Sequence, residues 1–293
     1  MAATVRPRVG LPSLPPVDTT DSATENPVVE VPTVSRGGGA APFIIGVSGH
    51  RDLDERGTAR LGAAITGLLR QIRGYLPDTE MRLVGGMARG ADLLAARTAL
   101  DLGLSVHAML PLPLQHYAAD FDPASLSELE TLLARPKVRR VELSLVKEPE
   151  PRCGVSAGDR REEHYLNLTR TLISSCHLLL AMWDGKSSAR PGGTADTVLR
   201  YLGARSDGKP QESPILFGDA PAEEDRDSPL VYWIPTARSG SSPSGQPATP
   251  CYLSSLGDDV LRRWARMPKR FRSQLIELNE RNRNHRERTR TRR

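Results

Sequence analysis

Short apolar runs alternate with amphipathic stretches from Phe43 to Ile234. Short aliphatic runs are typical of strands buried on both faces, and an apolar residue at every third or fourth position indicates a helix. Strands that alternate with helices favour parallel pairing, so we expect a doubly wound, mostly parallel Rossmann-like α/β sheet of about six strands. The predicted strands are 43–47, 81–84, 105–110, 138–145, 177–183 and 230–234, with helices over 55–75, 126–134, 161–176 and 193–205 and another ending near 102.

The pattern changes on both sides of this region. Residues 1–40 contain six prolines and no sustained periodicity, which predicts a disordered segment. Residues 41–236 form the predicted Rossmann-like domain, and the Ser/Gly/Pro-rich composition within 237–256 predicts a linker. Residues 257–293 predict a basic tail that is helical at first, interrupted by Pro268, and disordered at its Arg-rich end.

Charge and composition exclude several classes of protein. The net charge of +5 comes from the tail, where residues 260–293 hold 13 Lys/Arg against 3 Asp/Glu. No apolar run is long enough to span a membrane, and no apolar run at the N-terminus indicates a secretory signal. The three cysteines are odd in number and favour a reducing cytoplasm. The histidines are scattered, so we expect no metal site and no required cofactor.

Three loops that directly follow predicted strands carry the candidate chemistry, because ligands of doubly wound sheets bind beyond the carboxyl ends of the strands. The first loop contains Ser48, Gly49, His50 and Arg51. Its small residues let backbone N–H groups approach a phosphate, and Arg51 adds a charge-assisted contact. The alternative is an ordinary turn in which Arg51 pairs with a neighbouring aspartate.

The second loop joins a strand directly to the start of a helix. Gly85 and Gly86 permit close approach of a phosphate, and Arg89 lies in the same turn. Asp92 can cap the helix, orient an arginine, or accept a hydrogen bond from a ribose. Gly90 is a further candidate for ligand contact, although it also permits tight packing of the helix on the sheet.

The third loop follows the strand that ends at Trp183. Asp184 comes first, and Gly192, Gly193 and Thr194 open the next helix. A helix start offers free N–H groups and the positive end of the helix dipole, and Thr194 can cap the helix and touch a phosphate. Asp196 is expected to face the mouth of the site. The alternative is a capped helix after an ordinary loop.

Three runs of sequence carry a family resemblance: GVSGHRDL (Gly46–Leu53), GGMARGADLLAARTA (Gly85–Ala99) and LLLAMWDGKSSARPGGTADTVLRYL (Leu178–Leu202). They resemble the SLOG superfamily of Rossmann-like nucleotide-binding domains, which includes the LOG, DprA and YspA-like proteins. The similarity covers residues 43–236 and is greatest to uncharacterised bacterial members with a WDG…GGTAD signature. It implies a nucleotide or nucleotide-derived ligand held across these loops.

The chain departs from the enzymatic branch of that superfamily. LOG phosphoribohydrolases carry a PGGxGTxxE pattern whose glutamate assists cleavage of the N-glycosidic bond. Here the run is PGGTADTV, so Thr197 stands at the position of that glutamate and Asp196 is the nearest carboxylate. An aspartate has a shorter reach, which weakens the case for general acid–base catalysis.

These features predict a binding module for a nucleotide or nucleotide-derived ligand, and the resemblance implies a sensor in bacterial stress or defence signalling. Two alternatives stay open. One is a LOG-like nucleoside 5′-monophosphate phosphoribohydrolase with Asp196 and Asp92 as candidate catalytic residues, and the other is a DprA-like DNA-binding protein. The Arg-rich tail is a candidate for weak contact with nucleic acid or anionic lipid, with a solvated tail as the simpler interpretation. Homo-oligomerisation is also left open.

Overall fold

The computed structural model of the chain describes residues 40–145, 159–188, 190–204, 215–218, 229–240, 249–257 and 260–291. Among these residues, nine strands form a single sheet. The strands are β1 (Phe43–Gly49), β2 (Met81–Gly85), β3 (Ser105–Leu110), β4 (Val138–Glu142), β5 (Leu178–Trp183), β6 (Leu216–Gly218), β7 (Val231–Pro235), β8 (Cys251–Gly257) and β9 (Val260–Trp264). The helices are α1 (Glu55–Tyr75), α2 (Ala91–Asp101), α3 (Leu114–Tyr117), α4 (Pro123–Leu133), α5 (Asp159–Ser175), α6 (Thr194–Tyr201) and α7 (Lys269–Thr291).

The strand order across the sheet is β4-β3-β2-β1-β5-β7-β8-β9-β6. The six strands from β4 to β7 pair in parallel, and β8 is antiparallel to both of its neighbours. The chain moves outward from β1 to β4 and then returns to β5 on the other side of β1, so the order reverses between β1 and β5. This confirms the predicted Rossmann-like α/β fold and places its topological switch point between those two strands.

Helices cover both faces of the sheet, as the continuous apolar strands require. The predicted helix over 55–75 is confirmed as α1, whose apolar stripe is buried with α2 and α4 on one face. On the other face, α5 and α6 bury Leu172, Val198 and Leu199 against the sheet. No helix in the described part of the chain is long and apolar enough to cross a membrane.

The sheet continues past residue 236, because β8 covers the last six residues of the predicted linker over 237–256 and corrects that part of it. Residues 241–248 of the predicted linker lie outside the described residues. β8 and β9 extend the sheet from β7, and Tyr252, Leu253 and Leu261 are buried in them. β8 directly follows a run rich in Ser, Gly and Pro and carries Ser254 and Ser255 at its middle, so its pattern resembles a linker. The sequence analysis also missed β6, which coincides with none of the predicted strands. The predicted disordered segment, residues 1–40, lies outside the described residues apart from Ala40.

The predicted basic tail over 257–293 is also corrected in part, since its described residues include β9 as well as α7. The helix begins directly after Pro268 and continues to Thr291. It docks on the domain through buried Leu275, Asn279 and Asn282. The Asn279 side-chain oxygen accepts hydrogen bonds from the Asp78 N–H (2.8 Å) and the Thr79 hydroxyl (3.1 Å). These contacts hold α7 near the amino ends of the parallel strands.

Candidate functional site

A cleft of about 550 Å³ opens at the carboxyl ends of β1 and β5, where the strand order reverses. All three predicted loops contribute to its walls, and α5 completes it. The lining includes nine of the predicted site residues: Ser48, Gly49, His50, Arg51, Gly86, Asp92, Gly192, Gly193 and Thr194. The sequence therefore predicted the location of the cleft, and the roles of these residues as ligand contacts stay predictions.

The first two loops are locked together by direct backbone contact. The Ala91 N–H donates a hydrogen bond to the His50 carbonyl oxygen over 3.1 Å. Gly90 has a φ of +81°, and a Cβ there would lie 2.3 Å from the Arg51 carbonyl oxygen. Gly90 is outside the cleft lining, so the structure supports its packing role. Gly85 lies within β2, and it does not line the cleft either.

The third loop packs on the backbone of α5 before it turns into α6. Gly192 has a φ of +69°, and a Cβ there would come within 2.8 Å of the Tyr165 carbonyl carbon. Gly193 is the N-cap of α6, so the expectation that Thr194 caps this helix is wrong. Thr194 is instead the first helical residue and lines the cleft. The first-turn N–H groups have no partners within the helix, which gives this wall of the cleft a partial positive charge.

Four arginines from four different segments line the cleft, and three of them were not predicted. Arg51 was predicted; Arg161, Arg190 and Arg238 were not. Arg190 is exposed and makes no ion pair with any other described residue. It directly precedes the Pro-Gly-Gly turn, a position that was a usable signal in the sequence. Arg161 lies in a run of alternating charges on α5, and only the fold brings it to the cleft.

Asp120 holds two of these arginines in place at one end of the cleft. Its carboxylate accepts a hydrogen bond from Arg161 Nη2 over 2.7 Å and lies 3.5 Å from Arg51 Nη1. The Tyr165 hydroxyl donates to the same carboxylate. The Arg51 guanidinium also lies 5.2 Å from the centre of the Tyr165 ring, within the range of a cation–π contact. The cluster orients both cations before any ligand is bound.

Asp92 lies in the first turn of α2 and lines the cleft with only 8% of its surface exposed. One carboxyl oxygen accepts a hydrogen bond from the Ala88 N–H over 3.3 Å. The other is buried and has no hydrogen-bond partner among the described residues. Burial raises the pKa of Asp92 to about 7, although the Ala88 hydrogen bond and the charge of Arg51 act to lower it.

Asp196 lies in the first turn of α6 and is fully buried away from the cleft. One carboxyl oxygen accepts a hydrogen bond from the Gly192 N–H over 2.9 Å, and the carboxylate also pairs with Arg200 Nε at 2.9 Å. The expectation that Asp196 faces the mouth of the site is therefore wrong. Its carboxylate fixes the third loop, and a catalytic role for it stays a prediction that this geometry does not favour.

Arg89 is placed outside the cleft, contrary to its expected position beside the ligand. Its guanidinium pairs with Asp52 and lies 3.6 Å from Asp122. Because two carboxylates draw this side chain along the outer surface, Arg89 reinforces the contact between the first loop and the start of α4.

His50 and Asp184 form a buried pair behind the cleft wall. His50 Nε2 accepts the Asp184 N–H over 3.0 Å and lies 3.3 Å from the Asp184 carboxylate. Burial acts to raise the pKa of Asp184, but His50, the Lys186 N–H and Arg238 together lower it below its usual value. Only His50 of the pair lines the cleft, so Asp184 acts on it by positioning His50 and Arg238.

The comparisons with known proteins add little to this geometry. No protein-family model matches the chain, and no curated protein matches its sequence. DNA processing protein A from Streptococcus pneumoniae is similar at 18% identity and a TM-score of 0.36, over 55% of this chain and 47% of that one. The same protein from Helicobacter pylori, whose structure concerns single-stranded DNA binding, gives 13% identity and a TM-score of 0.34, over 58% and 69% of the two chains.

This chain therefore spans about half the length of the Streptococcus pneumoniae protein. At these TM-scores the likeness carries no argument about function. The resemblance to the SLOG superfamily stays a prediction from the three sequence motifs, and the cleft itself must support any functional proposal.

Proposed function

We propose that the cleft binds the phosphate of a nucleotide or nucleotide-derived ligand, and that the protein acts as a sensor of that ligand. One observation carries this proposal: Arg190, Arg51 and the first turn of α6 line the same cleft, and this cleft lies at a topological switch point. Each of these features favours an anion, and helix N-termini at this position are common phosphate sites.

The dimensions and walls of the cleft suit a mononucleotide. Its volume of about 550 Å³ lies within the range of small-molecule sites. The glycines at the start of α6 let a phosphate approach the backbone closely, and the arginines add charge-assisted hydrogen bonds. Ser48, His50 and Asp92 line the same cleft and supply polar groups for a ribose or a base.

A sensor is favoured over an enzyme because Asp196, the carboxylate nearest to the position of the LOG glutamate, is poorly placed for catalysis. The Asp196 carboxylate is occupied by Gly192 and Arg200, so it has no access to a glycosidic bond. The bacterial stress or defence role implied by the SLOG resemblance fits a module that binds without turnover. A single strand of DNA presents the same phosphate chemistry and is the competing ligand.

One observation favours the phosphoribohydrolase as a second candidate. Because its pKa is about 7, Asp92 is partly protonated at neutral pH, as a general acid must be. If the protein is this enzyme, incubation with AMP releases free adenine, and Asp92→Asn abolishes the release. Absence of adenine after prolonged incubation with binding intact supports the sensor.

Isothermal titration calorimetry tests the proposal with AMP, inorganic phosphate and a short single-stranded oligonucleotide as separate titrants. Removing one charge-assisted contact typically costs about 1.5–3 kcal/mol, so Arg51→Gln and Arg190→Gln should each weaken AMP binding about tenfold to 100-fold. Arg97→Gln is the matched control, because Arg97 is exposed outside the cleft and pairs with Glu128.

The outcomes separate the ligands. Tight AMP binding that the oligonucleotide does not displace supports a mononucleotide site. An oligonucleotide that binds while AMP and phosphate give no heat replaces the proposal with DNA binding. Equal losses in the two cleft variants and the control would mean that the arginines act only through overall charge.

A further inference from the structure

The last part of α7 carries a dense group of exposed arginines. Residues 281–291, which we call the arginine end, contain five arginines and a single acidic residue, Glu287. All five arginines are exposed, and every residue from Arg286 to Thr291 is exposed as well. The arginine end is thus a helix that extends beyond its docked portion into solvent.

The arginine end lies near the amino ends of the parallel strands, whereas the cleft lies at their carboxyl ends. Asn282 anchors the helix to Ala41, just before β1, with hydrogen bonds of 2.8 Å and 3.0 Å to its backbone. Asn279 anchors it to Asp78 and Thr79, just before β2. The cleft lies at the carboxyl ends of these parallel strands, so the arginine end and the cleft are at opposite ends of the sheet.

The arginines follow a regular helical spacing. Arg281 and Arg288 are seven residues apart, as are Arg283 and Arg290, which places the members of each pair two turns or about 10.5 Å apart along the axis. At 100° per residue the two pairs lie on opposite flanks of the helix, with the docked stripe between them. Within the described residues, none of Arg281, Arg283 and Arg290 forms an ion pair.

We propose that the arginine end binds the phosphate backbone of double-stranded nucleic acid without reading its sequence. Guanidinium groups pair with phosphates in a bidentate manner, and cations on two flanks of a helix suit the two phosphate strands of a duplex. The segment has no aromatic residue for stacking on the bases of a single strand. It also has no large apolar residue, which a helix at a membrane surface needs.

Fluorescence anisotropy of the full chain with a labelled random-sequence DNA duplex of about 20 base pairs tests this proposal over a range of salt concentrations. The test variant replaces four arginines of the arginine end by glutamine, and the control variant removes the same charge from exposed arginines of α1 and β4. The variants are R283Q/R286Q/R288Q/R290Q and R60Q/R70Q/R139Q/R140Q.

The test variant should bind at least about tenfold more weakly at low salt, and the slope of log K against log salt should fall by about 3–4, since each duplex phosphate contact contributes about 0.9. The control variant should stay within about twofold of the wild type. Replacing the same four arginines by lysine should restore only part of the binding, because lysine keeps the positive charge but cannot make the bidentate contact. Circular dichroism should show an unchanged helix content.

Three results would overturn the proposal. One is equal weakening in the test and control variants, and another is binding to anionic lipid vesicles with no binding to the duplex. The third is displacement of the duplex by AMP, which would place the nucleic acid in the cleft. The AMP titration tests the cleft by itself, and the duplex anisotropy tests the arginine end. Loss of one proposal is therefore distinguishable from loss of the other.

Discussion

The helices α2 and α6 both begin after a glycine-rich loop at the carboxyl edge of the sheet, and both carry an aspartate in their first turn. Their electrostatic states differ. Asp196 is a fully paired carboxylate, whereas Asp92 has one oxygen without a partner and a pKa of about 7. The same local motif therefore produces an ion-paired carboxylate in one loop and a carboxyl group of raised pKa that faces the cleft in the other.

The difference has a simple cause in the sequence. Both carboxylates accept a hydrogen bond from the N–H four residues earlier, that of Ala88 for Asp92 and that of Gly192 for Asp196, so the difference lies on the other side of each aspartate. One helical turn later, four residues further on, the residue is Arg200 in the case of Asp196 and Ala96 in the case of Asp92. Asp196 therefore has a cation on its own helix with which it pairs in a fully buried position.

Breaking the Asp196–Arg200 pair should give the largest effect. Arg200→Met leaves the Asp196 carboxylate buried without its cation, which typically costs about 3–5 kcal/mol of unfolding free energy. Urea denaturation measures this loss. The double variant D196N/R200M removes both charges and should recover most of it. A double variant as unstable as R200M alone would show that the ion pair is not the reason.

Asp92→Asn should change stability in the opposite direction. The pKa of Asp92 rises from 3.8 to about 7 on folding, so the folded protein binds more protons between these values and loses stability as pH rises from about 4 to 7. Asn removes this loss, which amounts to at most about 4 kcal/mol. Urea denaturation of both proteins at several pH values should show the difference growing towards pH 7. A constant difference across that range would contradict the assignment.

A smaller effect on stability should distinguish Gly192, which packs on α5, from Gly203, which has open space around it. Gly203 has a φ of +68° with open space around it, so Gly203→Ala should cost only about 1–2 kcal/mol of backbone strain. Gly192 has a similar φ, but its Cβ would meet the Tyr165 backbone at 2.8 Å. Gly192→Ala should therefore cost more stability than the control and also weaken AMP binding. Equal costs would show that the contact with α5 is not constraining.

The parallel part of the fold was predictable because its strands are aliphatic and its helices amphipathic. The predicted strand over 105–110 and the predicted helix over 55–75 coincide with β3 and α1. The antiparallel edge was missed, since β6 has three residues and β8 lies after a run rich in Ser, Gly and Pro. A three-residue edge strand such as β6 is specified by its neighbour in the sheet more than by its own pattern.

The site was predictable at the level of loops but not of side-chain direction. The carboxyl ends of parallel strands lie on the same side of the sheet, so the three loops that follow strands had to lie close together. Whether a given arginine turns inward depends on contacts from distant segments. Asp52 and Asp122 draw Arg89 outward, and Asp120 holds Arg161 inward. No local pattern contains that information, because these partners come from other parts of the chain.

Backbone amide chemical shifts in an AMP titration, followed by NMR on the ¹⁵N-labelled protein, test the central claim most directly. If a phosphate lies on the first turn of α6, the largest changes should occur at Thr194, Ala195 and Arg51, and α7 should stay unchanged. Arg190→Gln should require a higher AMP concentration for the same changes. Shifts confined to α7, or no shifts at saturating AMP, would contradict the assignment of the cleft as a phosphate site.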